Sequence, residues 1–150
     1  MGPLSISNML LRVRGTAKQI AINKFKLELD IPALYLVDAD YNISLRMIMF
    51  EISLHTDDHI PHQFWSLSTT AVDKSAVNLK QEIASFYTPI TLESNYKCLV
   101  YYEPSIKREY KIQLTSIHTS EFILTSYRSD ATLEVLDTEI LFEISRDARI

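Results

Sequence analysis

Near the C-terminal end of the chain, apolar and polar residues alternate in a way that only a β-sheet can bury. Tyr110, Ile112 and Leu114 are separated by single polar residues, and Ile140, Phe142 and Ile144 recur at the same two-residue spacing. A strand turns successive side chains to opposite faces, so this spacing gives one apolar face, whereas a helix would scatter the same residues around its circumference. Three strands are expected here, at 110–117, 121–127 and 138–144, joined as a β-meander.

Upstream the pattern is less regular. Between Ile20 and Ile31 the even-odd alternation shifts once: Ile20 and Ile22 share one face, while Phe25, Leu27, Leu29 and Ile31 share the other. A bend or bulge near Asn23-Lys24 reconciles the two registers, and Pro32 closes the strand. Leu34 to Val37 and an Asp38-Ala-Asp turn lead to a long strand, Asn42 to Leu54. In it Ile43, Leu45, Met47 and Met49 lie on one face and Ile48, Phe50, Ile52 and Leu54 on the other. A strand apolar on both faces is expected to be covered on both, by a second layer or by a neighbouring subunit.

One segment has a different period. In residues 70–87, Val72, Ala76, Leu79, Ile83 and Phe86 recur at steps of three and four, the stripe of an amphipathic α-helix capped by Thr70 and stopped by Pro89. The expected fold class is therefore mainly β, a β-sandwich or β-barrel with one helix over about residues 70–87. Its 150 residues form a single domain, with a β-rich core at 20–146. Residues 1–15 are expected to be an arm or edge strand, with Met9 to Val13 available to a partner.

Composition excludes several function classes. A net charge of −4, with Lys and Arg scattered, gives no basic stripe for nucleic acid. The longest apolar runs, such as Met47 to Phe50, are far shorter than the roughly 20 residues that span a bilayer. No basic-then-apolar leader opens the sequence, which leads to the expectation of a cytoplasmic protein. Only Gly2 and Gly15 are glycines, so a Gly-rich phosphate cradle is ruled out and later turns fall to Asn, Asp, Ser and Pro. Cys98 is the single cysteine and reads as a buried strand thiol.

The densest constellation is His55-Thr-Asp-Asp-His-Ile-Pro-His62. Imidazole and carboxylate are ordinary ligands of zinc or non-haem iron, so His55, Asp58, His59 and His62, with Asp57, are the candidate metal ligands. Their spacing matches no helical metal motif, and Pro61 argues against a helix, so a polar loop leaving a strand is the simpler reading. Ser68, Ser75, Ser116 and Ser126 lack the glycines of a nucleophile elbow, and no Ser-His site with His118 is expected. Glu139 and Glu143 flank Leu141 on a strand, as part of a solvent face or a charged wall. No catalytic residue and no cofactor are assigned.

Several strings resemble the tube proteins of phage tails and of type VI secretion, the haemolysin-coregulated protein family. They are Phe25-Lys-Leu-Glu-Leu29, Leu34 to Ser44, Phe50 to Asp58 before Phe64-Trp65, and the closing strands from Tyr110 to Ile144. Two departures stand out: there is no long hairpin loop between Ile43 and Phe50, and extra residues precede the similar region. The resemblance implies a structural subunit that forms a ring, as a hexamer, with its own copies and other tail or secretion components. Such a subunit assembles in the cytoplasm and is then exported or built into a phage-like particle. The interface residues are expected to be Met47, Met49, Phe50, Ile52, Leu141 and Phe142. Two other readings stay open: a metal-dependent enzyme or metal-binding barrel using the His55–His62 cluster, and a monomeric adaptor using the arm.

Overall fold

The computed structural model describes residues 8–33, 41–54, 62–72, 81–89, 91–94, 97–112, 117–127 and 133–146. Ten strands follow one another: β1 (Asn8–Ala21), β2 (Lys24–Leu29), β3 (Tyr41–Leu54), β4 (His62–Thr69), β5 (Gln81–Pro89), β6 (Thr91–Ser94), β7 (Lys97–Tyr102), β8 (Tyr110–Lys111), β9 (Phe122–Ser126) and β10 (Leu133–Arg146). Apart from a 3-10 turn at Ile117–Thr119, no helix occurs among the described residues.

All strands belong to one antiparallel sheet in the order β5-β4-β9-β2-β1-β10-β3-β7-β6, with β8 also paired to β3. The sheet curls until β5, at one end, packs against β7 near the other. Phe86 of β5 stacks on Tyr102 of β7 with ring centroids 4.6 Å apart and planes 9° from parallel. Past Pro89 the chain crosses to β6, which pairs with β7, so the strand leaving one end of the sheet joins the other end. The result is a nearly closed barrel, a shape that leaves few free strand edges.

Its interior is filled from every wall. Val13, Phe25, Ile43, Ile48, Trp65, Leu67, Val100, Leu124 and Ile140 are all buried. Phe50 meets Trp65 edge to face at 4.8 Å and 78°, a geometry that adds about 0.5–1.5 kcal/mol beyond burial.

Several sequence expectations are corrected, most of them for one reason. A β-bulge inserts one extra residue into one strand and flips the facing of everything beyond it. In β5, Leu67 and Ser68 of β4 face Ala84 and Glu82, leaving Ile83 as the extra residue. Ile83 and Phe86, three apart, therefore both point inward, and the helical spacing in 81–87 belongs to a bulged strand. Ala76 and Leu79 lie outside the described residues. In β3, Leu45 faces Phe142 and Met47 faces Leu141, so Arg46 is the extra residue. Ile43 and Leu45 before it, and Ile48, Phe50 and Ile52 after it, all face one interior; the strand is not apolar on both faces through its length.

Residues 1–15, expected as an arm or edge strand, fall partly in β1: from Asn8 to Gly15 the strand pairs with β10 and from Gly15 to Ala21 with β2, Leu11 and Val13 supplying core while Arg12 and Arg14 face out, and residues 1–7 lie outside the described residues. The shift near Asn23-Lys24 is a two-residue hairpin turn at Ile22-Asn23, with a bulge at Ile20. The closing strands do not form a meander: β8 pairs with β3, β9 lies between β2 and β4, and β10 lies between β1 and β3.

Candidate functional site

The feature that sets this barrel apart is the outer surface of β1, β10, β3 and β7. Beyond the Arg46 bulge, Met47 and Met49 turn outward while Ile48 and Phe50 turn in. Met47 lies beside Leu141 of β10, and Met49 lies between Glu139 of β10 and Tyr101 of β7. Leu99 extends the same face, opposite Glu51. Met47, Met49, Leu99 and Leu141 are half-buried, and Tyr101 is 50% exposed.

Charge frames this apolar centre. Glu139 accepts hydrogen bonds from Arg12 (3.2 Å) and Arg14 (2.6 Å). Its own side chain is 13% exposed, against 56% and 76% for the two arginines, so the cations and not the carboxylate meet solvent. Glu143 is covered in the same way by Arg46 at 2.8 Å and Lys107 at 3.0 Å. Lys107, on the loop between β7 and β8, also reaches Glu109 at 3.1 Å. Glu143 first and Glu109 second raise its pKa. On the β7 flank the Tyr101 hydroxyl donates to Glu103 at 2.9 Å, and that bond raises the phenol pKa.

A trough of about 580 Å³ runs along the β1–β10 side of the face, lined by Arg14, Thr16, Asp30, Met49, Asp137 and Glu139. It opens where β10 carries a bulge between Val135 and Thr138, whose hydroxyl donates to the Leu136 carbonyl at 3.3 Å. Elsewhere, a smaller cleft of about 160 Å³ lies along the barrel seam between β5 and the β7–β8 loop, with Ile83, Tyr102, Ile106 and Tyr110 in its walls. On the far wall exposed Phe64 lies between Tyr127 and Tyr87, with ring centroids 5.0 and 6.4 Å away.

The residues expected at an interface divide into two sets. Met47, Met49 and Leu141 are on the outer face; Phe50, Ile52 and Phe142 are interior, at 1%, 0% and 1% exposure, and hold the protomer together. Of the candidate metal ligands, His55, Asp57, Asp58 and His59 lie outside the described residues, and the backbone of His62 opens β4. Among the described residues no group of three or more His, Cys, Asp or Glu is placed to hold a metal ion. Ser126 is buried in β9 and His118 lies on the 3-10 turn, while Ser75 and Ser116 lie outside the described residues. Arg12 and Arg14 are not singled out by the sequence, and Tyr101, which reads there as core or sheet packing, is 50% exposed. The alternation of Leu11 and Val13 with the two arginines carries the signal, once Met9 to Val13 is taken as a strand instead of an arm.

Fold and surface together define a mainly β, barrel-shaped protein in which no helix among the described residues is long and apolar enough to cross a membrane. Comparison of the chain with protein-family models, curated proteins and solved structures gives no match.

Proposed function

We propose that the protein is a structural subunit that assembles with copies of itself, as a ring of the kind formed by contractile-tail and type VI secretion tubes. The observation that carries this reading is the outer face of β3 and its neighbours. Methionine, leucine and tyrosine side chains there are left half-covered by their own protomer and ringed by charge, the anatomy of a protein–protein interface. The resemblance of the strings at 25–58 and 110–144 to tube proteins supports a hexamer and adds further tail or secretion components as partners. The nearly sealed barrel suits a rigid building block.

Size-exclusion chromatography with light scattering, run at several protein concentrations, tests the reading. A multimer whose mass grows with concentration and which negative-stain microscopy images as rings is expected. A species that stays monomeric at the highest concentration overturns it. Met49→Lys should weaken assembly without unfolding the barrel, because the side chain already points to solvent.

A further inference from the structure

We infer that the cleft along the barrel seam binds a free α-amino acid with an aromatic side chain, its carboxylate held by Arg108, its ammonium group by Glu82 and its ring between the two walls. The site uses none of the methionine face, so it stands apart from the self-association proposed above.

Its two walls are built differently. One is the edge of β5 from Glu82 to Ser85, where the strand carries its bulge. A bulge re-aims the side chains beside it. Here Ile83 goes to the buried base, next to Leu45, and Glu82 comes out to the rim as an exposed carboxylate. The other wall is the segment that follows β7. Tyr102, Pro104, Ile106, Arg108 and Tyr110 line the cleft, every second residue, as an extended chain presents them. Residues between them are tied down elsewhere: Glu103 accepts from the Tyr101 hydroxyl, and Lys107 bridges Glu143 and Glu109.

A loop fixed in this way leaves two opposite charges at one opening. Among the described residues Arg108 and Glu82 are the only charged groups in the lining, and they form no ion pair or hydrogen bond with each other or with any other group. A guanidinium and a carboxylate on opposite walls match the carboxylate and the ammonium group of an amino acid, and arginine forks onto a carboxylate through two parallel N–H donors. A ligand with one charge would leave the other wall unmatched. Between the walls lie about 160 Å³, and a cavity of about 150 Å³ takes one benzene ring. Ile83, Tyr102 and Tyr110 supply the surface on which a phenyl ring packs, and Phe86, stacked on Tyr102, closes the seam beside it. Both charges meet solvent, so each adds a few-fold in affinity and burial of the ring carries the rest.

Isothermal titration calorimetry on the full chain tests the site. Phenylalanine should bind with a dissociation constant of about 1 mM or tighter. Hydrocinnamate, which lacks the ammonium group, and phenethylamine, which lacks the carboxylate, should each bind at least about threefold more weakly. Arg108→Gln should remove the advantage of phenylalanine over phenethylamine and leave phenethylamine binding unchanged, and Glu82→Gln should do the same with respect to hydrocinnamate. Both side chains are exposed, and far-UV circular dichroism checks that each variant keeps the barrel. No binding of phenylalanine at concentrations up to about 10 mM, equal binding of the three compounds, or variants that bind all three as the wild type does would each overturn the inference. None of these results bears on self-association, which the sizing experiment decides.

Discussion

A methyl group on Gly15 would overlap the backbone carbonyl of Glu28, because β1 is wedged here between β2 and β10. The neighbour is backbone and cannot swing away, so Gly15→Ala should cost about 3 kcal/mol or prevent folding, as read from the urea midpoint. An unchanged midpoint would mean the two strands do not approach this closely. Lys107 offers a milder test. Its carboxylate partners raise its folded pKa above the ordinary 10.5, so its contribution is complete below 10.5 and fades as pH climbs through the higher folded value. Its side chain is 37% exposed and screened by solvent, so Lys107→Met should cost under about 1 kcal/mol near neutrality. Wild type and variant should converge in strongly alkaline buffer; a constant gap would assign the effect to packing.

Some of this was legible residue by residue. Cys98 reads as a buried strand thiol and is one, at 1% exposure, so a thiol reagent should label it only after denaturant is added. Glu139 and Glu143 read as part of a solvent face or a charged wall; both lie on the outer side of β10, covered by Arg12, Arg14, Arg46 and Lys107. Their partners were not legible: Arg12 and Glu139 are 127 positions apart, and no local pattern records which strand will lie beside which.

At the level of elements, the spacing rules failed wherever a strand carried an extra residue. A bulge turns an i, i+2 pattern into i, i+3, which in 81–87 imitates a helix and in β3 imitates a strand with two apolar faces. Periodicity alone cannot separate these, because the distinction lies in the partner strand's count and not in the segment itself. Deleting Arg46 tests the account. With the extra residue removed, Ile43, Leu45, Ile48, Phe50 and Ile52 fall on one face by simple alternation, so the variant should fold with a native spectrum and lose only the Arg46–Glu143 ion pair. A deletion variant that fails to fold would refute the reading. Phe86, stacked on Tyr102 and close to Phe50 at 6.4 Å, holds the barrel seam. Phe86→Ala should cost about 3–5 kcal/mol and raise hydrogen exchange most in β5 and β7. Equal loosening on every strand would deny it a local closing role.

For the molecule as a whole, the β class was written in the alternation of Tyr110 to Leu114 and Ile140 to Ile144, and the expectation of a barrel or sandwich followed from it. Strand order was not. The most consequential case is β10, the last described strand, which slots between β1 and β3 and pairs Asn8 with Ser145. The central ladder therefore cannot close by zipping neighbours in order; residues more than a hundred positions apart have to find each other first. Loops of that length make for slow collapse onto the native topology, in the millisecond-to-second range typical of nonlocal β proteins, which stopped-flow fluorescence of buried Trp65 would time. On the ribosome, β1 and β3 emerge long before the strand destined to lie between them, and until it arrives each displays a raw edge to every other nascent chain nearby.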